Sequence, residues 1–239
     1  MTAADAKALL AKRLDHVEQR LRAACQRAGR QRSEVTLVVV TKTVAPDVAA
    51  LLPELGIFDL GESRPQQLWR KAAVLPKTVC WHLIGHLQRN KIEPTLPLVS
   101  LIHSVDSIRL IEALEIEARK REQTLPVLLE INASREVNKH GFAPEEVPAL
   151  LPHLTKLRHV RIDGLMAMAA FEEDPQRCRR TFAEVRELRD RFRGELGPPH
   201  RLEHLSMGMS NDYEVAVEEG ATIARIGSAF FEGLSEGIA

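Results

Sequence analysis

Val35-Thr36-Leu37-Val38-Val39-Val40-Thr41-Lys42-Thr43 is a short apolar run, rich in valine, that ends in a lysine. β-Branched side chains suit a pleated strand, and a continuous apolar run of this length is the pattern of a strand buried on both faces in a parallel sheet. Upstream, Leu9, Leu10, Leu14, Val17, Leu21 and Ala24 recur at helical spacing, so a helix from Thr2 or Asp5 to about Gly29 precedes the strand. Downstream, further strands are predicted at 57–62, 80–85, 101–105, 125–131, 158–166, 204–207 and 223–226. Helices are predicted between them at 46–55, 65–73, 106–121, 144–154, 174–196 and 212–219. This alternation predicts an α/β fold, a (β/α)8 TIM barrel with an extra N-terminal helix; a doubly wound open sheet is the alternative use of the same elements. No composition shift or linker divides the chain, and residues 1–239 read as a single barrel domain.

Composition excludes several classes of function. Lys+Arg and Asp+Glu number 33 each, so no net field recruits nucleic acid or an anionic membrane surface. Cys25, Cys80 and Cys178 are far apart and form no CxxC pair, which argues against a disulfide framework or a structural zinc site and for a reducing cytoplasm. The first twenty residues carry charges throughout, unlike a signal peptide, and no apolar run is long enough for a membrane span. The balanced surface and lone barrel suggest a monomer.

In a parallel barrel the strand ends share one rim, where chemistry collects. The residues closing these strands are polar: Lys42, Glu62 and Ser63, His82, His103 and Ser104, Asn132, Ser206, and Arg225 with Gly227 and Ser228. Lys42 is either the first solvated residue after a strand or an amine nucleophile beside a dry interior. His82 is either a hydrogen-bonded core histidine or a site residue. The histidines show no HxH or HExxH spacing, so no metal site is expected. Arg225 interrupts an otherwise apolar strand, and its guanidinium needs an acceptor, either a carboxylate such as Glu62 or a ligand's ring nitrogen or phosphate. Gly227-Ser228-Ala229 and Ser206-Met207-Gly208-Met209-Ser210 occupy the two loops where barrels most often bind phosphate. An amine after strand 1 and a phosphate cup after strands 7 and 8 together suit a phosphorylated aldehyde. Asn138, Lys139 and His140 are either a second phosphate patch or a solvated loop, and the latter is expected.

The segments VVTKT (39–43), LGES (60–63), WHLIGHLQRNK (81–91), HSVDS (103–107), INASREVNKHGF (131–142), GLMAM (164–168) and LSMGMSNDYEVAVEEGATIARIGSAFFEG (205–233) closely resemble the pyridoxal phosphate homeostasis protein family. Members of that family look like the barrel domain of alanine racemase standing alone. The resemblance implies that Lys42 forms a Schiff base with pyridoxal 5′-phosphate (PLP), that Ser206, Gly227 and Ser228 hold its phosphate, and that Arg225 faces its pyridine nitrogen. Ser63 stands where the family usually has asparagine, Ser228 where threonine is common, and Pro46 one place later than usual. Ser63 and His82 complete the expected cofactor-binding set.

The resemblance thus implies a PLP-binding protein that holds, buffers or delivers the vitamin, with apo PLP-dependent enzymes as partners and no or little catalysis. An arginine cannot keep a pyridine nitrogen protonated, and alanine racemase uses a tyrosine from a second domain that is not expected here. A PLP-dependent amino-acid racemase is the alternative. A cofactor-free Schiff-base lyase acting on a sugar phosphate is a third reading.

Overall fold

The computed structural model describes residues 1–136 and 140–234. Helix α1 (Ala3–Arg27) leads into β1 (Thr36–Val40) and α2 (Pro46–Ala50). The alternation continues through β2 (Asp59–Glu62), α3 (Pro65–Ala72), β3 (Cys80–Leu83), α4 (Ile92–Thr95), β4 (Val99–Val105) and α5 (Ile108–Lys120). It closes with β5 (Leu125–Ile131), α6 (Val147–Leu154), β6 (Val160–Ala167), α7 (Arg179–Phe192), β7 (His204–Ser206), α8 (Tyr213–Glu218), β8 (Ile223–Ile226) and α9 (Ser228–Phe231). The strands pair in parallel in chain order, and β8 pairs with β1 to close the barrel. The open-sheet alternative is thereby set aside. Among the described residues no helix is long and apolar enough to cross a membrane.

Side chains alternate across a strand, and here the alternation sorts two apolar clusters. Val38, Leu101, Leu128, Met166 and Ile223 meet inside the barrel, while their neighbours Val39, Ile102, Leu129, Leu165 and Ala224 face the surrounding helices. Two close approaches depend on glycine. A Cβ on Gly164 would lie 2.0 Å from His204 O, and one on Gly85 would lie 2.3 Å from Ser63 O. Helices are shorter than periodicity suggests where proline intervenes. The 46–55 helix divides at Pro53 into α2 and a 3-10 turn, and the stretches before α6 and α7 are 3-10 turns that begin at Pro144 and Pro175.

Helix α1 starts with a reciprocal capping box between Thr2 and Asp5. Its arginines fasten it to the last units of the barrel. Arg13 donates to the carbonyls of Phe230 and Glu232, both at 2.6 Å, and Arg30 donates to those of Val217 and Ala221 at 2.9 and 2.8 Å. Arg27 pairs with Glu214 and Glu218, and Arg179 reaches Glu218 and Glu219 from α7. The extra helix therefore braces the outside of α8 and α9, which carry the loops closing the barrel mouth.

Candidate functional site

A cleft of about 860 Å³ opens at the carboxyl ends of the strands, with Lys42, Ser63, Met168, Ser210, Arg225 and Ser228 among its walls. Lys42 continues the inward register of Val38 and Val40, which is why its amine joins this cleft rather than the helical layer. Ser63 comes from the end of β2. Gly85 lies so close to the Ser63 backbone that the two strand-end loops share one position.

The opposite wall is the turn Gly227-Ser228-Ala229. Ser210 Oγ accepts from the backbone N–H groups of Gly227 and Ala229 at 3.3 and 3.2 Å, so two amides already converge on one oxygen. The loop after β7 is folded to bring Ser210 there. Gly208 has φ +88°, and a Cβ at that position would lie 2.7 Å from Tyr213 Cα and from Ala216 Cβ. Asp212 Oδ1 then accepts from Met209 N–H at 2.6 Å.

Arg225 forms the floor. Its Nη1 donates to the Ser206 carbonyl at 2.6 Å and to Ser206 Oγ at 2.5 Å, and Nη2 donates to the Ala167 carbonyl at 3.0 Å. A guanidinium has five N–H donors, and these bonds use three of them. Burial pulls its pKa down to about 10, against the pull of Asp212 and Glu130.

A chain of side chains runs from this arginine through the barrel interior. Ser206 Oγ lies 2.8 Å from His103 Nδ1, His103 Nε2 lies 2.9 Å from His82 Nδ1, and His82 Nε2 lies 3.0 Å from Asp59 Oδ1. The two ends set its direction. Arginine only donates and a carboxylate only accepts, so with neutral imidazoles each link donates toward Asp59. Burial holds His103 well below the usual histidine range, with His82 and Arg225 adding to the effect, which keeps it neutral.

A second buried network fixes the Lys42 peptide. Lys71 from α3 donates to Glu62 Oε1 and, at 2.7 Å, to the carbonyl of Thr41, while Thr41 Oγ1 donates to Glu62 Oε1 at 2.7 Å. Lys71 and Glu62 are fully buried, and Glu62 Oε2 has no hydrogen-bond partner among the described residues.

The structure thus brings Lys42, Ser63, Arg225, Gly227 and Ser228 to one cleft. Two expected residues stand elsewhere. Ser206 is fully buried beneath the cup, its hydroxyl shared by Arg225 and His103, because the strand register turns it into the barrel below the loop; Ser210 takes the place at the turn. His82 is also away from the cleft, one link further along the chain than His103, because the inward face of β3 points at the barrel axis. Asn138 and Lys139 lie outside the described residues. Sequence reasoning placed Ser210 in the phosphate loop but chose Ser206 from that loop as the site residue, and it missed Glu130, an inward carboxyl whose pKa is pushed up to about 7 by burial and by Asp106. Both had a signal. Ser210 ends the LSMGMS loop, and Glu130 interrupts an apolar strand as Arg225 does.

A closed parallel barrel with a lysine after β1 and a small-residue turn after β8 on one cleft defines a class, the barrel half of the alanine racemase fold. The family model described as "Alanine racemase, N-terminal domain" matches residues 13–235. The chain belongs to the pyridoxal phosphate homeostasis proteins of that family. It is 40% identical over 220 residues to the member from Aquifex aeolicus, covering 92% of this chain and 96% of that protein. With the Pseudomonas aeruginosa member it shares 36% over 223 residues, covering 93% and 94%. Among solved structures, PipY of Synechococcus elongatus with PLP bound superposes with a TM-score of 0.79 at 32% identity, over 93% of this chain and 99% of PipY. Alanine racemase of Clostridium difficile, at 14% identity and a TM-score of 0.71, covers 93% of this chain and 56% of its own; it shares the fold.

Proposed function

We propose that the cleft binds PLP through Lys42 and that the protein holds and delivers this vitamin as part of PLP homeostasis, with little or no turnover of amino acids. The observation that carries this reading is the joint placement, in one cleft, of the β1 amine, the Gly227–Ala229 amides converging on a single oxygen, and a buried arginine with donors to spare. PLP supplies an aldehyde that bonds reversibly to amines and a ring that accepts electron density when its nitrogen is protonated. Lys42 provides the amine. Ser228 and Ser210 would hold the phosphate at the Gly227 turn, and Arg225 would donate to the ring nitrogen.

Two features of the residues favour holding over catalysis. Arg225 has no proton to give up easily, so it orients a ring nitrogen by donation and leaves that nitrogen unprotonated. The chain's only tyrosine, Tyr213, is buried with its hydroxyl unpartnered and its ring beneath Arg20, and it is not among the residues lining the cleft. A phenolic base opposite Lys42 is therefore not supplied by these residues. Apo PLP-dependent enzymes are the proposed recipients.

Mixing the purified chain with PLP is expected to turn it yellow, and borohydride should then fix a pyridoxyl group on the Lys42 peptide, read by mass spectrometry. An unchanged spectrum in Lys42→Ala would reject the site. Overnight incubation of the PLP-loaded protein with L-amino acids, followed by chiral chromatography, is expected to show no racemisation; clear turnover would make it an enzyme.

A further inference from the structure

A second cluster of side chains occupies the rim on the β3–β5 side. His86 follows β3, Asp106 follows β4 and His140 follows β5, so three successive loops contribute one residue each. His86 Nδ1 lies 2.9 Å from Asp106 Oδ2, and His140 Nδ1 lies 3.6 Å from the same oxygen. The two imidazole rings stack with centroids 4.8 Å apart and 19° between their planes. All three donor atoms fall within 4.8 Å of one another.

This arrangement has the chemistry of a cation site. Both histidines bring the same ring nitrogen close to one carboxylate oxygen, His86 at hydrogen-bond distance, and a bound ion would take the place of the proton between them after a small rotation of the two exposed rings. Asp106 is nearly buried, at 7% exposure of its side chain, and a buried carboxylate is costly unless a cation or strong donors face it. Zinc-class ions take imidazole nitrogen and carboxylate oxygen at about 2.0–2.2 Å, which places neighbouring tetrahedral donors roughly 3.4 Å apart. The two nitrogen–oxygen spacings, 2.9 and 3.6 Å, lie on either side of that value. Both histidines are exposed, at 47% and 64%, so the fourth position of such an ion faces solvent. Two imidazoles with one carboxylate and no thiolate suit zinc, nickel or cobalt rather than calcium, magnesium or copper(I).

We propose that His86, Asp106 and His140 form a divalent transition-metal site of the zinc class, with three protein ligands and one open position, on the same rim as the cleft. A metal there ties together the loops after β3, β4 and β5. The assignment rests on these three side chains and stands or falls independently of PLP binding.

The test uses the full chain without an affinity tag, with Co²⁺ as the spectroscopic probe. One equivalent is expected to bind and give visible ligand-field bands stronger than those of the hydrated ion, and Zn²⁺ should displace it one for one. His86→Ala, His140→Ala and Asp106→Asn are each expected to weaken Co²⁺ binding at least tenfold, while His16→Ala, at an exposed histidine on α1, leaves it unchanged. Circular dichroism of the metal-free variants checks that they fold, and any variant that does not is replaced by His86→Gln or His140→Gln. Binding well below one equivalent, or binding equally tight in the folded variants, would overturn the proposal and leave a hydrogen-bonded histidine cluster.

Discussion

Arg225 is placed by Ser206, which gives it both a carbonyl and a hydroxyl acceptor. Under the proposed binding mode Ser206 would act on a ligand through the arginine, whereas Ser210 and Ser228 stand at the turn itself. The two roles separate when binding of PLP is compared with binding of pyridoxal, which lacks the phosphate. Ser206→Ala is expected to weaken both by a similar factor, about fivefold for the loss of one hydrogen bond of about 1 kcal/mol. Ser210→Ala with Ser228→Ala should weaken PLP about tenfold or more and leave pyridoxal nearly unchanged, since bonds to a charged phosphate are the stronger ones. Dissociation constants from absorbance titration check this, and a phosphate-selective loss in Ser206→Ala would return that hydroxyl to the cup.

At the scale of elements, β1, β2 and α3 are joined by the buried Glu62–Lys71 pair, which also grips the carbonyl before Lys42. Burying both charges is expensive, and Glu62 Oε2 stays without a hydrogen-bond partner among the described residues, so the pair is a device of position more than of stability. Lys71→Met leaves Glu62 uncompensated and is expected to cost about 3–5 kcal/mol in urea unfolding. Adding Glu62→Leu should recover most of that stability, because an apolar pair of similar volume suffers no desolvation. The double variant should still bind PLP more weakly than the parent, because nothing then fixes the Thr41–Lys42 peptide. Full recovery of both properties would show that the ion pair has no positioning role.

For the whole molecule, the interior histidines set the response to acid. Burial lowers the pKa of His103, His200 and His204 below 6.5 in the folded chain. Below that pH the unfolded chain takes up protons that the folded chain refuses, so stability falls as pH falls. Glu130 works in the opposite sense: raised from 4.5 to about 7, it holds a proton in the folded chain that the unfolded chain has released. Asp212, raised above 3.8 by burial, joins it at the acid end. The three histidines bound the slope at about 4.1 kcal/mol per pH unit, and the two raised carboxyls reduce it. Urea midpoints are expected to drop between pH 6.5 and 5.5, and His103→Gln should flatten the drop. A midpoint rising with acid would mean that the carboxyls dominate.

The barrel was legible in the chain because its strands are local apolar runs and its helices keep a local period, so Val35 to Lys42 reads as a buried strand without knowledge of its neighbours. Lys42, Arg225 and Gly227 were legible as residues of the strand-end cleft because a charge, or a small turn, at a strand end has few other uses. Depth along the barrel axis was not legible. Ser206 and Ser210 belong to one loop motif, yet the register of β7 sends the first into the interior while the turn at Gly208 brings the second to the cleft. The same limit hid the meeting of His86, Asp106 and His140, which are distant in sequence and adjacent only because consecutive barrel strands place consecutive loops side by side. By itself the sequence determined which strand carries the amine and which small-residue turn closes the barrel, since both follow from local pattern. Only the closure of β8 onto β1 decided which side chains face one another across the mouth, because those distances depend on strand register and on nothing local.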